Sequence, residues 1–247
     1  MPWTESQSLS FSARHEDSDA GHVVDLLDDL EAFREELGEL FEHTPGDIEV
    51  IVHPGPLGLS LAQPWLPLAR VAVAPASRRY MAGWFSQRAL HVLSPGALEE
   101  RASPVEGSRD ALMLSPLHEY AHLVIGANNP GLPPPFNPGS FRRYLRWAWL
   151  AEGAASFFSW QVDHLRPAIA RRLREGSKPS FPPSARDSLL LGGTVFSLLD
   201  EMAGEPACVE LASALHPGGP RPAIERAFGR PFIEVEHAWR ELLGRPS

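Results

Sequence analysis

The stretch that decides the fold reads Leu117-His118-Glu119-Tyr120-Ala121-His122-Leu123-Val124-Ile125. Residues four apart lie on one face of an α-helix, about one turn from each other. His118 and His122 can therefore turn their imidazoles toward one point, as two ligands of a metal ion. Zinc accepts such nitrogen ligands at about 2.0–2.1 Å. Glu119 follows the first histidine and is rotated around the helix, so it can face a zinc-bound water without being a ligand. Zinc draws the pKa of that water toward about 7, and a carboxylate there can take its proton. Two surface histidines on a polar helix would carry the same letters and no chemistry. The flanks argue against that: Leu117, Tyr120, Ala121, Leu123, Val124 and Ile125 make the helix apolar nearly all round. Two histidines and a glutamate on a buried helix must find partners, and a metal ion supplies them. Pro116 belongs in a first turn. Ser115 is then the expected cap and Pro116 the first helical residue, with Leu112 to Leu114 in a preceding turn or helix.

A catalytic zinc takes three protein ligands and keeps one position open. The third candidate is Glu152, in Trp149-Leu150-Ala151-Glu152-Gly153-Ala154-Ala155, the one acid of an apolar helical run. A glutamate at a polar edge, or facing a buried arginine, is the other reading. The span from His122 to Glu152 holds a turn, a Pro-rich connector from Asn129 to Pro138 and a helix able to pack back. Gly153 and Ala154 would allow the two helices to approach closely. Ser140 is the expected cap of one long helix reaching about His164. Trp147, Trp149, Phe157, Phe158 and Trp160 read mainly as core around it. Arg142, Arg143 and Arg146 read as a solvated face.

Outward from this centre, the first half of the chain reads differently. Leu9, Phe11 and Ala13 alternate with polar residues, as do Ile48, Val50 and Val52, which suggests two strands. Between them Val23, Leu26, Leu27, Leu30, Phe33, Leu37 and Leu40 recur at helical spacing, with Ser18 or Asp19 as cap and Gly46 closing the unit. Val71–Ala74 and Ala89–Leu93 are the expected third and fourth strands, the latter a candidate sheet edge for peptide addition. After about Arg109 the pattern is helical, with further stretches over 188–203, 222–228 and 232–243. Strands first and helices afterwards give an α+β class, with a small N-terminal mixed sheet and a helical half. No charged linker divides the chain, so 1–247 is expected as one domain, with a sheet part over 1–107 and a helical part over 108–247.

Composition narrows the classes. The chain has 247 residues, 43% hydrophobic and 21% charged, which is the balance of a globular protein. Its net charge of −9 argues against nucleic acid, which needs a basic surface. The single cysteine, Cys208, can form neither an internal disulfide nor a thiolate zinc cluster; among small apolar residues it reads as a buried hydrophobe. No apolar run is long enough to span a bilayer, and the first residues lack a secretory pattern. The expectation is a cytoplasmic protein with no membrane partner.

His118-Glu119-x-x-His122 followed by Trp149-Leu150-x-Glu152-Gly153-x-Ala155 resembles the gluzincin zinc peptidases, and most closely the small peptidase-MA-like, or minigluzincin, proteins. The resemblance covers most of the chain. Their opening strand, acidic helix and strand look like Leu9 to His53, and their glycine-then-strand element looks like Ala82-Gly83-Trp84 to Leu93. Their closing helices look like Ala227-Phe228-Gly229-Arg230 and Glu234 to Arg240. It implies a zincin-like fold, zinc held by His118, His122 and Glu152, Glu119 as general base, and a peptide or protein substrate. Gluzincins usually add a Tyr or His downstream of the third ligand to steady the oxyanion. Here Tyr80, Tyr120 and Tyr144 all precede Glu152. His216 and His237 remain as downstream substitutes, while His164 would sit about 18 Å beyond Glu152 on a continuous helix. The expectation is a zinc-dependent peptide hydrolase, with a catalytically weakened zinc-binding module as the alternative.

Overall fold

The computed structural model describes residues 3–175 and 178–245. Its sheet begins with β1 (Trp3–Gln7) and β2 (Phe11–Glu16), an antiparallel hairpin. Leu9 sits in the turn between them, 92% exposed, not in a strand. In β2 the alternation places Phe11, Ala13 and His15 inside. The helix α1 (Ala20–Leu40) follows and buries Val23, Leu27, Leu30, Phe33 and Leu37, the stripe that the sequence spacing marks. Asp19 is its cap residue, but its side chain makes no capping bond, and the helix ends at Leu40, well before Gly46.

β3 (Ile48–His53) lies parallel to β2, and β5 (Ala89–Leu93) lies parallel to β3. β4 (Gly83–Phe85) closes the sheet antiparallel to β5, so the order is β1-β2-β3-β5-β4. Parallel neighbours require crossovers. α1 supplies the first, and α2 (Pro56–Ala62) and α3 (Trp65–Ala72) lie in the second. Two expectations fail here. Val71–Ala74 is no strand: Leu66 and Ala69 bury one side of α3, and Val71 lies 76% exposed near its end. Ala89–Leu93 is a strand, but β4 covers its outer side, so the free edge belongs to β4.

The helical half contains α4 (Pro95–Arg101), α5 (Ser108–Met113), α6 (Ser115–Asn128), α7 (Pro138–Arg146), α8 (Ala148–Phe158), α9 (Gln161–His164) and α10 (Arg166–Glu175). It ends with α11 (Ser188–Ala203), α12 (Glu205–Ser213), α13 (Pro220–Phe228) and α14 (Phe232–Gly244). The long helix expected over 140–164 is three helices. Trp147 leaves helical geometry between α7 and α8, and Trp160 adopts positive φ before α9. Asn137, not Ser140, caps α7; it accepts from the Gly139 and Ser140 amides, and Ser140 Oγ accepts from the Asn137 amide. Gly153 packs on α11, not on α6. A Cβ there would lie 2.6 Å from the Gly192 carbonyl, and one on Gly192 would lie 2.7 Å from the Trp149 carbonyl oxygen. The whole is 62% helical, with the mixed sheet in the first half and one buried apolar cluster running through both halves.

Candidate metal centre

The breaks flanking α6 set the centre's geometry. Leu114 precedes the first helical residue, Ser115 follows and Pro116 is second, so α5 and α6 are separate helices. The cap falls one residue earlier than expected, but Pro116 occupies the first turn, where its missing N–H costs nothing. α6 is then buried on all sides from Ser115 to Ile125. One face carries His118 and His122, each 4% exposed, and Tyr120 on another face donates to the Pro45 carbonyl at 2.7 Å.

α8 packs against α6 and delivers Glu152, 5% exposed, to the two histidines. His118 Nε2 lies 3.4 Å from Glu152 Oε2, and His122 Nε2 lies 3.4 Å from Glu152 Oε1. The two Nε2 atoms are 3.1 Å apart. Ligands at about 2.1 Å from a tetrahedral metal stand about 3.4 Å from each other. The triangle of donor atoms therefore has the size of one face of a tetrahedral site, and its chemistry, two imidazoles and a carboxylate, suits a transition metal. Burial pushes the Glu152 carboxyl up, but His122 and His118 outweigh it and hold it below the usual carboxylate range. Burial lowers the His118 pKa. Both shifts favour the metal-binding forms, a neutral imidazole and a carboxylate.

Glu119 lies between α6 and β4. A Cβ at Gly83 would stand 2.5 Å from Glu119 Cγ and 2.7 Å from Oε1, so the glycine makes room for this side chain against the edge strand. Burial, and then the Glu152 charge, raise the Glu119 pKa well above normal. A divalent cation beside it would pull that value down again. Phe85, two residues along β4, stacks on the His122 ring at 4.6 Å.

Sequence reasoning missed two parts of this centre. Tyr144, on α7, donates its phenol to Glu152 Oε1. On one continuous helix, eight residues would hold them about 12 Å apart; the break at Trp147 brings them together. The second omission is an aromatic roof. Phe136, at the end of the Pro-rich connector, meets Trp84 at 4.8 Å, Phe85 at 5.1 Å and Tyr144 at 6.0 Å. Of the aromatic series expected around α8, Trp147, Trp149 and Phe158 are core, Phe157 packs half-buried against it, and Trp160 is 41% exposed with its ring against Phe33. His164 faces Asp110, His216 accepts from the Gly218 amide, and His237 is exposed. Arg142, Arg143 and Arg146 are exposed, and Cys208 is buried with its thiol pushed up to about 12 by burial.

Compared with known proteins, the chain matches no family model, no curated protein and no solved structure. Among the described residues, no helix is long and apolar enough to cross a membrane.

Proposed function

We propose that this chain is a zinc-dependent peptide hydrolase of the gluzincin type. The observation that carries the reading is the donor triangle of 3.1, 3.4 and 3.4 Å from His118, His122 and Glu152, with a second buried acid, Glu119, beside it. A zinc ion held there supplies Lewis acidity, polarising a scissile carbonyl and making water acidic. Glu119 holds the proton taken from that water and returns it to the leaving amine. Tyr144 donates its single O–H to Glu152 and so orients the third ligand from behind. β4 offers the free strand edge nearest Glu119, so an extended peptide would pair there and not on β5. The fold class implied is zincin-like.

The alternative, a zinc-binding module with weakened catalysis, is favoured by the roof. Phe85 stacks on the His122 ring, Phe136 packs on Phe85 and Tyr144, and Glu119 is only 8% exposed. Metal analysis of the purified protein, with peptide-library hydrolysis by the native chain and Glu119→Gln, separates the cases. The hydrolase reading expects one zinc in both and turnover only in the native chain. Zinc without turnover in either gives the centre to the binding module. Turnover retained in Glu119→Gln sinks the mechanism, and no zinc in either sinks both readings.

A further inference from the structure

We infer that α2 and α3 form a docking surface for an anionic lipid bilayer. Every exposed residue between Pro54 and Ala76 is Pro, Gly, Ala, Leu or Val. Leu57 and Leu61 stand one turn apart on α2, 73% and 76% exposed, and Leu68 and Val71 stand on α3, 56% and 76% exposed. The remaining large exposed hydrophobics of the described residues are scattered through the chain. The inner sides of both helices are already committed, with Leu59 and Leu66 fully buried. Arg70 ties α3 to α2 through Ser60 Oγ at 3.0 Å and to the Met81 carbonyl at 2.9 Å. The leucines therefore point outward from a fixed platform. A patch of this kind marks an interaction site.

Charge names the occupant. The chain carries 31 acidic residues, yet none falls between Val50 and Leu98, a stretch that holds Arg70, Arg78, Arg79 and Arg88. Arg78 and Arg79 follow directly on the apolar stretch and are exposed. Outward leucines followed in the chain by exposed arginines, in a segment that itself holds no carboxylate, match the surface of an anionic bilayer: acyl chains take the side chains and headgroups take the guanidinium ions. A second copy of the chain would bring the same arginines with no acid from this segment to meet them. Such docking lies in the membrane plane and needs no spanning helix. It replaces the expectation of no membrane partner, which rested on the lack of a spanning segment, and it is independent of the metal reading.

The test is flotation of the full chain with vesicles of phosphatidylcholine alone or mixed with phosphatidylglycerol. The native chain is expected to float with the anionic vesicles and to be released by high salt. Leu57→Gln combined with Leu61→Gln should cut binding at least about tenfold. Arg78→Gln and Arg79→Gln should cut it about fivefold each. Ile233→Gln, an exposed apolar residue on α14, should leave it unchanged. All these positions are exposed, and equal thermal midpoints would show that the fold survives. A native chain that ignores both vesicle types overturns the inference, as does undiminished binding by the leucine variant. A native dimer in sedimentation that the leucine variant dissolves would give the face to a second copy and overturn it too.

Discussion

Two buried histidine pairs sit on opposite faces of one small sheet. His118 and His122 meet at 3.1 Å on the side of Gly83 and Phe85; His53 and His91 meet at 3.1 Å on the side of Trp84 and Ile51. What differs is the third partner. The first pair receives a carboxylate, Glu152, whose oxygens stand 3.4 Å from both imidazoles. The second receives an amide: Gln63 Nε2 lies 2.6 Å from His91 Nε2. Gln63 donates to His91, so His91 must donate from Nδ1 to His53 Nε2, and both rings are neutral links in a chain. α2 covers this second pair, with Gly58 against the His53 ring. Burial lowers the pKa of both, His91 to about 4 with His53 adding to the effect. Equal nitrogen spacing thus yields a charge-collecting site in one place and a closed polar relay in the other. The anion makes the difference.

If the first pair belongs to a working centre, the groups around it should act on rate without acting on metal. Tyr144→Phe has the largest expected effect of this kind. It removes the O–H that orients Glu152 and should lower kcat by up to about 10²-fold, as loss of a hydrogen-bond partner behind a metal ligand does. Zinc content measured by mass spectrometry should stay at one per chain. Unchanged kcat would return Tyr144 to a purely structural role. Gly83→Ala comes next. Its methyl would stand 2.5 Å from Glu119 Cγ, so the glutamate must shift, and a displacement of about 1 Å costs about 10²-fold in rate. A Gly83→Ala enzyme with native kcat would mean that Glu119 needs no fixed position against β4.

The legibility of this molecule followed its local periodicities. The buried stripe of α1, the alternation in β3 and the His118–His122 spacing are short-range patterns, and all three survive folding unchanged. Glu152 was readable as the single acid in an apolar run. What escaped depended on chain breaks and on neighbours distant in sequence. Nothing periodic announces that Trp147 interrupts a helix, yet that break is what sets Tyr144 on Glu152. The roof joins Phe85 to Phe136 across about fifty residues of chain, from an edge strand to a proline loop. Val71–Ala74 reads as a strand because its β-branched residues alternate, but no strand is there to pair with it. α12 was missed because Glu205-Pro206 follows Gly204, a stop signal that here also opens the next helix.

The second pair offers smaller effects and a sharper limit. A histidine whose folded pKa lies below its unfolded value stabilises the fold when neutral. In the unfolded chain His91 takes its proton near 6.5; in the fold it does so only at about 4. Stability from this group is therefore complete above about pH 6.5 and drains away as the pH falls toward 4, by about 3 kcal/mol in all. His91→Gln should flatten that slope, measured by urea unfolding of metal-free protein at a series of pH values; an unchanged slope would mean that the relay opens without cost. The smallest expected effect is none at all: His91→Gln and His53→Gln should leave zinc at one per chain, while His122→Ala should take it to zero. Two neutral rings and an amide offer no charge to offset the loss of zinc's hydration, and the only nitrogen of His91 not engaged with His53 is already occupied by Gln63. Two zinc ions in the native chain, falling to one in His91→Gln, would show that histidine spacing suffices without the carboxylate and would erase the distinction between the two faces.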